Sequence, residues 1–240
     1  MNKFLASASS WVESLIYCFV ARWVDVLLPS EALRFLFRLD ARLYVLQGRL
    51  AVAYGGGVHT KHRHTHYHDF FVERIRPGEG VVDIGCGNGA LSYDIATRAG
   101  AEVIGIDLSE TNIAIARQRY PHPQVRYVVG DVLQNLPGEC FDAVILSNVL
   151  EHLPGRPEFL RRLLAAVRPS RLLIRVPLFE RDWRVPLKRE LGVEWRLDGT
   201  HQTEYTLESF SEEMMAAGLV IAYQEVRWGE IWAEMVPGDA

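Results

Sequence analysis

The spacing of apolar residues changes character along this 240-residue chain. Across roughly residues 9–54, Trp11, Leu15, Phe19 and Val26, then Leu33, Leu36, Leu39, Leu43 and Leu46, recur at helical intervals. That spacing predicts two helices. Pro29-Ser30-Glu31 interrupts the run, and Ser30 is suited to cap the second helix. From residue 80 onward, short apolar runs alternate with helical stretches. Strands are expected at 81–84, 102–107, 125–132, 140–146 and 171–177, with helices at 91–96, 111–120 and 158–167. Such alternation specifies an α/β fold with a doubly wound parallel sheet. A last helix at 207–217, closed by Gly218, leads to two further strands at 219–227 and 231–236. The expected organisation is a helical extension over residues 1–58 followed by an α/β domain over 59–240.

The turn after the first strand carries three alternating glycines, Gly85, Gly87 and Gly89. A turn without Cβ atoms between a strand and a helix lets backbone N–H groups approach a ligand, as nucleotide cofactors require. Gly85, Gly87 and Ala90 also satisfy the G-x-G-x-x-G/A pattern, so the glycines alone leave a dinucleotide open. Asp83, two residues ahead of the first glycine, argues the other way. A carboxylate there can meet amides or an ammonium group but is repelled by a pyrophosphate. Gly89 is expected to loosen the turn around a bulkier group. Asp107 ends the second strand, placed to accept hydrogen bonds from ribose hydroxyls, while Ser109 can cap the following helix. For Asp131, at the end of the third strand, a ligand role and a simple turn role both stand open.

Taken together, Asp83, Gly85, Gly87 and Gly89 make a D-x-G-x-G-x-G segment that resembles the first motif of the class I S-adenosylmethionine-dependent methyltransferases. Phe141-Asp142-Ala143-Val144, followed by Glu151-His152, resembles that family's fourth-strand motif. The resemblance covers about residues 59–236. It implies a Rossmann-like, seven-stranded methyltransferase fold whose last strand is inserted antiparallel. It implies S-adenosylmethionine as cofactor and a small-molecule or glycan/lipid-intermediate acceptor, methylated at oxygen. Carried over residue by residue, it implies cofactor contacts from Asp83, Gly85, Cys86 and Gly87 and from Asp107 with Leu108. It further implies Asp131 on the adenine amino group, the Val132 N–H on a ring nitrogen, and Ser147 and Asn148 beyond the fourth strand. Two other readings remain: an NAD-dependent oxidoreductase on a related fold, and a methyltransferase-like module without catalysis.

Five of the eight histidines fall within residues 59–68, after Gly55-Gly56-Gly57. An extended segment would place His62, His64, His66 and His68 on one face, a potential metal site. A plain polar linker is the alternative. The family resemblance implies instead that the segment, with Tyr67, folds over the cofactor. No metal ligand is assigned. For catalysis, an oxygen acceptor needs a base that titrates near neutrality, standing at the carboxyl end of strand four or five. His152 meets that condition, although a capping or packing role is open to it. A divalent cation held by Glu151-His152 is weakened by Asn148, where certain quinone-pathway relatives have an acid. His201 is the second candidate, in a segment rich in Trp and Arg that either lids the acceptor pocket or is an ordinary surface loop.

Composition narrows the class further. The net charge of −4 gives no general basic footprint for nucleic acid. Three cysteines, Cys18, Cys86 and Cys140, have no metal-ligand spacing and an odd count, which fits a reducing cytoplasm. No convincing secretory leader is read at the N-terminus. Arg22 and Asp25 interrupt the apolar stretch 15–28, which falls short of the ~20 residues of a span. The N-terminal helices therefore either cover the catalytic domain or contact a membrane surface. Oligomeric state is not legible.

Overall fold

The structure, a computed structural model, describes residues 2–238. Contacts divide the chain into two compact units: Met1–Thr60 with Pro186–Trp195, and Lys61–Val185 with Arg196–Ala240. In the first unit, α1 (Asn2–Val24) and α2 (Pro29–Tyr54) are long helices. Pro29 occupies the first turn of α2, where its missing N–H costs nothing, so Ser30 is not the cap. The segment Pro186–Trp195 belongs with these helices: Arg34 Nε donates to the Leu191 carbonyl at 2.9 Å, and the Lys188 ammonium stands 5.4 Å from the Phe37 ring. The helical unit is thus built from two separated stretches of chain.

The second unit opens with two short helices, α3 (Lys61–Thr65) and α4 (Tyr67–Val72). The extended, one-faced histidine ladder does not form. His66 adopts a left-handed conformation, φ +48°, which breaks the segment into two helical turns. Its imidazoles instead find separate partners: His68 Nδ1 lies 2.6 Å from Asp94 Oδ2, and His62 packs on Tyr67 with centroids 5.0 Å apart.

The sheet follows. Its strands are β1 (Gly80–Ile84), β2 (Glu102–Asp107), β3 (Val125–Val129), β4 (Ala143–Ser147), β5 (Arg171–Pro177), β6 (Leu219–Arg227) and β7 (Glu230–Pro237). They form one seven-stranded sheet in the order β3-β2-β1-β4-β5-β7-β6. The first five are parallel, and β7 enters antiparallel between β5 and β6. α5 (Ala90–Asp94) continues into a π-helical turn at Ile95–Ala99; α6 (Glu110–Arg119), α7 (Arg156–Val167), α8 (Arg184–Glu190) and α9 (Leu207–Ala216) complete the helices. The seven-stranded methyltransferase fold read from the sequence is therefore present.

Alternation along the strands feeds two apolar layers. Val144, Leu146, Leu172 and Ile174 pack with Phe159, Leu160 and Leu163 of α7 and with Phe210 and Met214 of α9. Ala143, Ile145 and Leu173, from the same strands, face Phe70, Phe71, Ile95 and Trp232 on the other side. Each such fully buried aliphatic side chain contributes about 1.5–3 kcal/mol. Burial on both faces explains why these strands read as continuous apolar runs. Registers Ile84↔Leu146 and Ser147↔Arg175 bring the carboxyl ends of β1, β4 and β5 to one edge. Strand order reverses between β1 and β4, and a crevice opens there.

Candidate active site

The glycines of the turn do three different things. All have positive φ, +69° at Gly85, +54° at Gly87 and +83° at Gly89. A Cβ on Gly85 would stand 2.5 Å from Val149 Cγ2. A Cβ on Gly89 would stand 2.7 Å from both Ala116 Cβ and Tyr127 Cε1, so this glycine serves tight packing of the turn against α6 and β3. The expectation that Gly89 makes room for a ligand is thereby corrected. Only at Gly87 does the missing Cβ leave open space, with no atom within 4 Å. That is where a ligand can approach the backbone.

Asp107 is already oriented at the end of β2. Its Oδ2 accepts from the Gly87 N–H at 2.9 Å, and its Oδ1 from the Ser109 N–H at 2.9 Å and Asn112 Nδ2 at 3.1 Å. Ser109 Oγ in turn caps α6, accepting from the Asn112 N–H. Asp83 is buried, and Ser92 Oγ donates to it at 2.6 Å. Burial pushes its carboxyl up to about 7, the Ser92 hydrogen bond opposing and the Asp107 charge reinforcing the shift. Gly105 in β2 makes this buried corner possible, since a Cβ there would lie 3.0 Å from both Cys86 Sγ and Ser92 Oγ.

Two cavities share Gly85. The smaller, about 170 Å³, is lined by Tyr67, Asp83, Cys86, Gly87, Ser147 and Arg175 among others. Arg175, buried on β5, spreads over the Tyr67 ring at 4.3 Å and pairs with Glu230 at 3.3 Å. Burial raises the Tyr67 hydroxyl to about 12, Arg175 pulling the other way. The larger cavity, about 420 Å³, is lined by Asp107, Leu108, Asp131, Val132, Asn148 and His152 among others. Asp131 also holds its own turn, accepting from the Leu133 N–H at 2.9 Å and Gln134 Nε2 at 2.8 Å. Every residue read as cofactor-binding from the sequence thus lines one of these two cavities.

The last group stands where β4 ends. Asn148 has φ +57° and its N–H donates to the Arg175 carbonyl at 2.8 Å. The short helical turn Leu150–His152 buries Glu151 completely and leaves His152 half-buried. Neither Glu151 carboxylate oxygen has a hydrogen-bond partner of ordinary geometry. Burial pushes that carboxyl up to about 8, against the pull of Arg175 and Asn148. His152 Nδ1 contacts Thr200 Oγ1 at 2.9 Å, and that hydroxyl donates to Asp198 Oδ1 at 2.7 Å. Desolvation, then the neighbouring His201, lowers the His152 pKa. A lowered value keeps the ring neutral and able to accept a proton.

His201 is buried and lies behind His152, with Nδ1 at 3.0 Å from Glu204 Oε1. Arg181 pairs with the other oxygen of Glu204. His201 lines neither cavity, and its ring meets that of His152 edge to face with centroids 4.6 Å apart. Among the described residues, Glu151, His152 and His201 are the one group whose ligand atoms, within 4.8 Å of each other, could hold a metal ion. Arg175, Ser92, Thr200 and Glu204 are the site residues that motif reading missed. Arg175 alone had a signal, an arginine inside an otherwise apolar strand.

The sheet order, the glycine turn and the carboxylate at the tip of β2 are those of the class I methyltransferase fold. Comparison with known proteins agrees: the methyltransferase domain family matches residues 82–174. The chain is 36% identical over 155 residues to a ubiquinone biosynthesis O-methyltransferase of Rhodopseudomonas palustris (strain BisB5), covering 61% of this chain and 60% of that protein. It is 30% identical over 160 residues to a 2-methyl-6-phytyl-1,4-hydroquinone methyltransferase of Synechocystis, covering 62% and 49%. The chain thus spans 60% and 49% of the length of these two relatives. In three dimensions it superposes on a TehB-like SAM-dependent methyltransferase from Corynebacterium glutamicum with a TM-score of 0.54 and 19% identity, covering 84% of this chain and 100% of that one.

Proposed function

We propose that the chain binds S-adenosylmethionine and methylates a hydroxyl oxygen of a small-molecule acceptor of the quinone-precursor type. The observation that carries this reading is a single cavity shared by Asp107, Asp131 and His152. It puts an oriented ribose-type acceptor group and a neutral imidazole on one space. The cofactor supplies an electrophilic methyl on a sulfonium. Its adenosine part fits the larger cavity, with Asp107 facing ribose hydroxyls and Asp131 with the Val132 N–H facing the adenine. Its cationic amino-acid part suits the smaller cavity beside Asp83 and the open backbone of Gly87, with Tyr67 and Arg175 closing it. The acceptor's hydroxyl proton would pass to His152 as the methyl carbon bonds to that oxygen and its bond to the sulfonium sulfur breaks, leaving a neutral thioether, and Thr200 and His201 would hold that ring in place. The names of the related proteins, a ubiquinone-pathway O-methyltransferase and a hydroquinone methyltransferase, support the acceptor class.

A dinucleotide fits this site poorly. Its pyrophosphate would meet the buried Asp83, and the antiparallel β7 departs from the six-stranded parallel order of dinucleotide-binding sheets. The test is isothermal titration with S-adenosylmethionine and, separately, NAD. Binding of the first that vanishes in Asp107→Ala supports the reading. Methyl transfer from labelled cofactor to a catechol or hydroquinone, absent in His152→Ala, completes it. A folded protein that binds NAD and not S-adenosylmethionine sinks it.

A further inference from the structure

The helices α1 and α2 carry large apolar side chains that are exposed. On α1, Trp11, Leu15, Phe19 and Trp23 follow one another at i+4 spacing, with relative exposures of 67, 49, 72 and 48%. On α2, Leu43, Leu46 and Leu50, at i, i+3 and i+7, share a face and are 46, 46 and 60% exposed. Single exposed apolar residues are ordinary, but ordered stripes of this kind mark a binding surface.

The charge beside the α2 stripe identifies the occupant. Arg38, Arg42 and Arg49 occupy one strip of the helix, adjoining the leucine face, and all three are exposed. None pairs with a carboxylate among the described residues, whereas Arg34 is engaged by Glu31 at 2.6 Å. Residues 1–54 hold six Lys and Arg against four Asp and Glu, in a chain whose net charge is −4. An apolar stripe edged by unpaired arginines, with two tryptophans on the neighbouring helix, is the pattern of a helix lying in a lipid interface. No helix among the described residues is long and apolar enough to cross a membrane.

We propose that α1 and α2 seat the protein on an anionic lipid surface, the leucine and tryptophan stripes entering the headgroup layer and Arg38, Arg42 and Arg49 meeting lipid phosphates. This holds whatever the active site binds, and its test needs no cofactor. The 240-residue chain is sedimented with vesicles of phosphatidylcholine alone and of phosphatidylcholine mixed with phosphatidylglycerol. Binding should require the anionic lipid and weaken as salt rises. The exposed-surface variant R38Q/R42Q/R49Q should bind about a hundredfold more weakly at low salt, at the strength expected per juxtamembrane charge. L43Q/L46Q/L50Q should lose binding as well, both variants keeping wild-type helical circular dichroism. Failure of the wild type to bind the mixed vesicles, equal binding to neutral ones, or an unaffected arginine variant overturns the proposal. So does a dimer in sedimentation equilibrium that L43Q/L46Q/L50Q dissociates, which would assign the stripe to a second copy.

Discussion

The imidazoles of His152 and His201 meet edge to face, their centroids 4.6 Å apart. One lines the cavity and the other is anchored to Glu204. One ring is thus open to the cavity and the other is buried against a carboxylate.

His152→Ala should lower kcat by about 10²–10⁴, the usual worth of a positioned base, while leaving the dissociation constant for S-adenosylmethionine unchanged. Steady-state kinetics beside titration calorimetry checks this. If activity instead vanishes on chelation and returns with a divalent ion, the ring is a ligand rather than the base.

The pH profile separates the two histidines. Burial and His201 lower the His152 pKa, so the acid limb of kcat/KM should lie below the ordinary 6.5. His201→Phe removes one of those two causes and should move the limb upward, toward 6.5, with a smaller loss of rate than His152→Ala. An unmoved limb would show that His201 only fills space.

Gly87→Ala and Gly89→Ala should fail in different ways. At Gly89 the new Cβ collides with Ala116 and Tyr127, so a loss of about 1–3 kcal/mol of stability is expected from overpacking. At Gly87 the only structural cost is the left-handed backbone, about 1–2 kcal/mol. The methyl group, however, projects into the space where the cofactor is proposed to lie. Denaturant melts with and without S-adenosylmethionine distinguish the two: Gly87→Ala should lose the stabilisation by ligand, and Gly89→Ala should keep it.

Buried carboxyl groups make an unusual stability profile. Asp83 and Glu151 have folded-state values of about 7 and about 8, above the unfolded values near 4. The folded state therefore binds protons more tightly than the unfolded state between pH 4 and 8, and these two groups lower stability as pH rises through that window. Glu151→Gln removes the cost of ionising a buried, unpaired carboxylate. It should raise Tm at pH 8 relative to the parent and change it little at pH 4, as measured by thermal melts across pH.

The sequence by itself determined the sheet and the glycine turn. Strand and helix periods, the glycine spacing and the carboxylates Asp83, Asp107 and Asp131 are local signals, each written within a few residues, and they appear where that reading put them. Other features needed tertiary structure because they depend on residues far apart in the chain. Gly89 is set by its distance to Ala116 and Tyr127, which no local spacing encodes. The histidine ladder dissolved because a left-handed His66 and distant partners such as Asp94 outweighed a period-two pattern. Arg175 reaches Glu230 because β7 inserts beside β5, and it meets Tyr67 from α4, far away in the chain. His152 acquires Thr200 and His201 only when the chain beyond β5 folds back, its Gln202 N–H donating to the Glu151 carbonyl at 2.7 Å. Short-range pattern specified the glycine turn and its carboxylates; long-range packing built the surroundings of His152.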